Sequence, residues 1–182
     1  MVSDEALMLG FRRGSREAFD ELFERYRDPL WAFFRRRLES RERAEDLTQE
    51  TFLAVLRATA RYEPKALVRT YLYGIALKLL SAERRTKARK AIREGIEREP
   101  SINEAPYAAL WLREALGKLD DIEREILMLR EYEQLSYSEI GNLLRIPINT
   151  VRSRLFRARM ALKHQLYPAP AENVLQEGDV CR

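Results

Sequence analysis

Residues 135–163, LSYSEIGNLLRIPINTVRSRLFRARMALK, leave the chain few ways to fold. Ser136 with Glu139 three positions on is a capping box, in which each side chain satisfies an N–H group that a helix start leaves unpaired. A first helix over about 137–144 follows. Arg145 and Ile146 break it. Pro147 suits the first position of a second helix, where its missing N–H costs nothing. That helix is expected to run to about 163. At about 100° per residue, Val151, Leu155, Ala158 and Leu162 fall on one stripe, the buried one. The opposite face carries Asn149, Ser153, Phe156, Arg157 and Met160, flanked by Thr150, Arg152 and Arg154. A large aromatic among cations and small hydroxyl groups is odd for a merely wetted face. The mixture suits the edges and phosphates of a DNA major groove, and the pair of helices has the pattern of a helix-turn-helix whose second helix does the reading. The competing reading is a helical hairpin with a basic solvated face.

Composition supports a helical chain. Its 182 residues include only seven Gly and seven Pro, with 46% hydrophobic and 34% charged residues, so a core and a densely charged surface are both available. The net charge of +4 is too mild to argue for nucleic acid by itself, and its distribution matters more. One cysteine, Cys181, and one histidine, His164, exclude a disulfide framework and argue against a His/Cys metal site. No apolar run is long enough to span a bilayer, and the first residues lack a signal-peptide pattern, so a cytoplasmic protein is expected.

Upstream, residues 4–13 have the pattern of a short helix ended by Gly14, and Ser15 caps a second helix over about 16–27. Asp28-Pro29 is expected to restart it as a helix over 30–38. Residues 40–62 form the second informative stretch. Leu47, Thr51, Ala54, Val55 and Ala58 make its buried stripe. The far side holds Glu42, Asp46, Gln49, Glu50, Leu53 and Arg57. Leu53 is thus a lone apolar group in an acidic and amide setting. It is either an ordinary exposed leucine or the anchor of an interface for a basic partner helix. A loop follows, since Pro64 biases Glu63 out of the helical region. A long helix over about 68–93 comes next, with Tyr71, Leu72, Ile75, Ala76, Leu79 and Leu80 as its apolar face. Its second half turns basic, with Lys78, Arg84, Arg85, Lys87, Arg89, Lys90 and Arg93. That run is either a solvated helix end whose cations complement the dipole or a phosphate-binding footprint. Residues 95–107 carry prolines and acids without periodicity and have the character of a linker. Helices resume at about 108 and at 121 or 122, capped by Asp120 or Asp121. The tail from 168 to 182 has no periodicity and is assigned no role.

Together these stretches resemble the sigma-70 superfamily of bacterial RNA polymerase sigma factors, and within it the small extracytoplasmic-function (ECF) group. The resemblance spans about residues 18–166. AEDLTQETF (44–52) resembles the family's core-polymerase-binding helix. RTYLYGIALKLL (69–80) resembles its promoter-melting and minus-10-reading helix. LSYSEIG (135–141) with TVRSRLFRAR (150–159) resembles its minus-35-reading helix-turn-helix. The resemblance implies an all-α fold of two small helical domains, 1–94 and 108–167, joined by a flexible linker over 95–107, with a loose tail over 168–182. Asp46, Gln49, Glu50 and Leu53 would dock on the clamp helices of the polymerase β′ subunit, and the β flap would be a second docking place. The loop from Arg61 through Lys65 to Arg69 would cradle a flipped-out base, with Tyr71, Tyr73 and Lys78 lining or supporting it. Arg84, Arg85, Lys87 and Arg89 would hold phosphates near the minus-10 element. Asn149, Thr150, Arg152, Ser153, Arg154, Phe156 and Arg157 would read the minus-35 element. Promoter DNA, core RNA polymerase and an anti-sigma factor, often membrane-bound in this family, are the implied partners. No cofactor or metal is implied, and no nucleophile–base pair marks the chain as an enzyme.

The sequence departs from the family's pattern at five places. Tyr71 stands where Trp is usual, Val68 where Phe is typical, Gly74 where Arg is common and Lys78 where Asn is common. Arg145 occupies a turn position where Gly is frequent. Two other classes compete: a helix-turn-helix regulator acting apart from polymerase, and a helical adaptor that binds a protein without reading promoters. The regulator leaves residues 44–52 and 69–80 unexplained, and the adaptor would keep its activity with Arg152 and Arg157 neutralised.

Overall fold

The computed structural model describes residues 2–63, 67–94 and 107–166, and among them the fold is all-α with no strand. Residues 95–106 of the expected linker, the tail, Lys65 and the side chain of Arg61 lie outside the described residues, and Tyr107, the last residue of the expected linker, opens a helix instead. The elements are α1 (Asp4–Arg12), α2 (Arg16–Arg35), α3 (Arg41–Ala58), a 3-10 turn (Thr59–Arg61), α4 (Val68–Glu94), α5 (Tyr107–Gly117), α6 (Asp121–Glu131), α7 (Tyr137–Leu144) and α8 (Ile148–Leu166). Local chemistry starts most of them. Ser3, Ser15, Ser40, Asp120 and Ser136 each accept a backbone N–H from the first turn of the helix that follows, which answers donors that would otherwise be unpaired.

α1 to α4 pack around Met8, Leu30, Phe33, Phe34, Leu47, Val68 and Leu80; α5 to α8 pack around Ile126, Leu129, Leu135, Ile140, Val151 and Leu155. Pro29 does not restart a helix, because α2 runs through it without a break. A mid-helix proline costs about 3 kcal/mol or more. Leu22, Tyr26, Leu30, Phe33 and Phe34 are buried on one continuous stripe of α2. At roughly 1.5–3 kcal/mol per buried side chain, that stripe outweighs the proline.

The helix-turn-helix has the expected form. Both bonds of the Ser136/Glu139 capping box are present. Arg145 takes the left-handed conformation (φ 56°, ψ 45°) that ends α7. The Ile146 N–H donates to the Gly141 carbonyl at 2.9 Å. A Cβ on Gly141 would lie 3.0 Å from the Ile146 oxygen, so the turn closes this tightly only over glycine. Pro147 sits one place earlier than expected. It precedes α8, and its carbonyl accepts the Val151 N–H. α8 runs on to Leu166, past the expected end.

The two halves touch along a polar seam. Arg37, with its side chain 1% exposed, donates to Glu125 and Glu133, each at 3.0 Å, and to the Phe33 carbonyl. Its guanidinium lies 3.8 Å from the Phe33 ring centroid. Arg36 donates to Glu133 at 2.8 Å and stacks over Tyr132. Arg69 and the Thr70 hydroxyl both donate to Glu139 at 2.9 Å. A Cβ on Gly74 would stand 3.4 Å from the Leu143 side chain. The seam also rotates the inner face of α4 from its expected position. Thr70 and Tyr73 are buried, whereas Tyr71, Ile75 and Leu79 are only partly so.

Glu139 thus serves both its own helix and the seam. Burial alone would raise its pKa, but bonds from the Ser136 side chain and backbone, Arg69 and Thr70 prevail and lower it from 4.5 to about 2. A depressed carboxylate contributes stability that is complete above its unfolded pKa and fades as pH falls toward its folded one. The melting temperature of the wild type is therefore expected to fall more steeply between about pH 4.5 and pH 2 than that of Glu139→Gln. Equal acid slopes in thermal melts of the two proteins would contradict this.

Candidate functional site

Three exposed surfaces collect the residues singled out by sequence. On α8, Val151, Leu155 and Ala158 are buried against the rest of the C-terminal half, which turns the opposite face outward. Asn149, Arg152 and Ser153 are exposed there, and Phe156 is 64% exposed. The Ser153 hydroxyl donates to the Thr150 carbonyl. Arg157 is exposed but donates to Glu123 at 2.8 Å. Arg154 leans back toward Asp120, at 3.7 Å, with its side chain only 31% exposed. Arg152, Ser153 and Phe156 therefore form the outward centre of the face, and Arg154 stands at its edge. Ile148 and Met160 extend the apolar part of this face at either end.

The second surface lies on α3. Asp46, Gln49 and Leu53 are exposed and Glu50 is partly so, as their spacing requires. Leu56, also exposed, continues the apolar patch next to Leu53. Sequence reasoning missed Arg43. Its guanidinium lies 3.0 Å from Glu50 and 3.5 Å from Asp46, and pairs with Glu83 of α4 at 2.9 Å. Its spacing to Asp46 and Glu50, three and seven residues, was the available signal. The tie to Glu83, 40 residues away, left none in the sequence.

The third surface follows the 3-10 turn. Tyr62 is buried, and Tyr71 meets it edge-on at 5.3 Å. Burial pushes both hydroxyls up from their usual pKa. α1 holds both flanks of the loop: Arg12 donates to the Tyr62 carbonyl, and Glu5 accepts the Val68 N–H at the start of α4. Tyr73 is not on this surface. It is 4% exposed and packs on Phe33 at 5.5 Å, with its hydroxyl pushed up to about 12, chiefly by burial. It supports the surface from inside. Further along α4, Lys78, Arg84, Arg85, Lys87 and Arg89 are all exposed. At about 100° per residue, Lys78, Arg85 and Arg89 fall on one narrow stripe, while Arg84 turns toward Glu125, 3.9 Å away.

No group of metal-ligating side chains occurs among the described residues, and no described helix is long and apolar enough to cross a membrane. The fold and its surfaces define an all-helical protein with a helix-turn-helix whose second helix exposes a basic and aromatic face, and a second helical half with an exposed acidic face. Residues 22–90 match the family model for sigma-70 region 2, and residues 109–162 match that for sigma-70 region 4. The chain is 30% identical to the RNA polymerase sigma-H factor of Pseudomonas aeruginosa, over 91% of this chain and 94% of that one. It is also 30% identical to the ECF RNA polymerase sigma factor SigW of Bacillus subtilis, over 85% and 92% respectively. Among solved structures it is similar to CnrH, solved in complex with the cytosolic domain of CnrY, with a TM-score of 0.69 and 26% identity over 90% of this chain and 96% of that one. The chain belongs to the sigma-70 superfamily of RNA polymerase sigma factors, in the ECF group. It is an alternative sigma factor, a subunit that directs RNA polymerase to promoters.

Proposed function

We propose that each of the three surfaces has a separate task in promoter recognition. The α8 face, centred on Arg152, Ser153 and Phe156, reads the minus-35 element, with Asn149, Thr150, Arg154 and Arg157 around it. The α3 face of Asp46, Gln49, Glu50 and Leu53 docks on the β′ clamp helices, and the C-terminal half meets the β flap. The loop and α4 surface, from Arg61, Lys65 and Arg69 through Tyr71 to Lys78, Arg84, Arg85, Lys87 and Arg89, holds the minus-10 region and captures unstacked bases, with Tyr73 as internal support. Residues 1–94 and 108–167 act as the two recognition units. The observation that carries this reading is the outward aromatic Phe156 set among Arg152, Ser153 and Arg157 on a helix whose other face is buried.

The chemistry of RNA synthesis stays with the polymerase, and this chain contributes positioning alone. It works in the cytoplasm, at the nucleoid. The similar CnrH was solved with part of a second protein, CnrY, and an anti-sigma partner, tethered in a membrane, is proposed for this chain in the same way. The decisive experiment is transcription from genomic fragments by purified core polymerase with and without the chain. Defined start sites should appear only in its presence. An unchanged transcript pattern, or tight sequence-specific binding to a duplex operator without polymerase, would overturn the assignment.

A further inference from the structure

The loop after the 3-10 turn has two feet, and one helix holds both. At the first foot, Arg12 donates to the Tyr62 carbonyl at 3.1 Å, across 50 residues of chain. At the second, Glu5 accepts the Val68 N–H at 3.3 Å, across 63 residues. Both tethers come from α1. A separation of seven residues is close to two full helical turns, so Glu5 and Arg12 leave the same face, about 10.5 Å apart along the axis. α1 thus sets a fixed span between the two ends of segment 63–67.

The ordinary account of these two side chains is that an acid at the start of a helix and a cation at its end complement the dipole. α1 is complete without them. Ser3 caps its start, and the N–H groups of Arg13, Gly14 and Ser15 donate to the Leu9, Phe11 and Gly10 carbonyls at its end. The needs lie at the feet. Leu67 stands at the N-cap position of α4, its carbonyl accepting the Tyr71 N–H, and its side chain has no oxygen to offer. Val68 is buried, so the acceptor for its N–H comes from Glu5. Tyr62 is buried too. Its N–H donates within the turn to the Thr59 carbonyl, and its hydroxyl has no hydrogen-bond partner among the described residues. Among the described residues, Arg12 is therefore its polar hold from outside the turn. α1 is anchored in its turn. Leu7 and Met8 are buried, and Asp4 accepts from Arg25 of α2 at 2.7 Å and from the Tyr26 hydroxyl.

We infer that Arg12 and Glu5 are positioning residues for base capture: α1 is a brace that fixes both feet of the loop and so sharpens its choice of minus-10 base. The inference rests on the base-capturing role proposed above for the loop, and adds residues from a helix outside the surface assigned to DNA. A segment whose ends are already fixed loses less freedom on closing round a base. A right base is preferred over a wrong one only where the groups that meet it are held in place.

The test uses holoenzyme reconstituted with the full chain, and a promoter recovered by transcription from genomic fragments. Each base of its minus-10 element is changed in turn, and separately each base of its minus-35 element. Arg12→Met removes the donor and Glu5→Met the acceptor. Each should lower discrimination at the captured base about tenfold, with the minus-35 profile and core affinity as in wild type. Arg12→Lys and Glu5→Gln keep a donor and an acceptor, and should retain most of the preference. Leu47→Val trims the core of the same half about three turns before the 3-10 turn. It should lower the melting temperature and leave both profiles unaltered. An unchanged minus-10 profile in a folded Arg12→Met or Glu5→Met chain would overturn the brace; if one of the two fails to fold, the other decides. A flattening shared by Leu47→Val, or conservative variants no better than the methionine ones, would overturn it as well. Arg61→Ala combined with Lys65→Ala separates the two layers. A minus-10 profile that changes there but not at the feet sinks the brace alone, and no change there sinks the loop's role and the brace together.

Discussion

Alanine at both Arg152 and Arg157 is expected to erase most of the preference for a promoter with an intact minus-35 element over one with that element scrambled. An arginine that reads a base edge is worth about 1–3 kcal/mol of discrimination, and well-separated contacts add. Arg157 must first leave Glu123, which is 2.8 Å away, and a partly exposed pair of this kind offsets up to about 1 kcal/mol. With that offset the pair should account for about 1–5 kcal/mol, or roughly 5-fold to a few thousand-fold in relative transcription. The measurement is competition between the two templates in one reaction with reconstituted holoenzyme. An equal fall on both templates would mean that the two arginines hold phosphates and carry no sequence information.

The second large effect concerns the α3 face. Leu53→Glu should weaken association with core polymerase by roughly 30-fold, equivalent to about 2 kcal/mol for an anchoring side chain at an interface centre. Leu53 is 46% exposed in the free chain, so the substitution should leave folding stability within about 0.5 kcal/mol. Binding measured by fluorescence anisotropy, alongside thermal melting, separates the two. A variant that binds core normally would move the docking face elsewhere. Arg43→Ala offers a graded comparison, since it would free Asp46 and Glu50 from their shared cation.

Features that depend on neighbours in sequence were readable before any coordinates. The Ser136/Glu139 box and the cap at Ser15 both belong to segments of a few residues. The buried and exposed faces of α3 and α8 followed from helical period alone. Pro29 was misread because its penalty is local, whereas the compensation comes from tertiary burial of the whole α2 stripe. Tyr73 was expected to line or support the loop surface, and helical period could not decide between the two, because its burial depends on Phe33 of α2, 40 residues away. Arg154 lies on the expected side of α8, yet its long side chain turns to Asp120. The seam itself was illegible. Arg37 and Glu133 are 96 residues apart, and nothing in either segment's periodicity marks the other as its partner.

Glu139 has a thermodynamic consequence. One carboxylate completes the start of α7 and also holds Arg69 and Thr70, far away in the chain. Binding free energies that share a group are reciprocal. Whatever captures Arg69 must change the readiness of the helix-turn-helix for its own target, and by the same factor that target must change the grip on Arg69. The two ends of a promoter would then be felt through a single side chain, and cooperation between them would persist in this polypeptide even without the polymerase that normally spaces them.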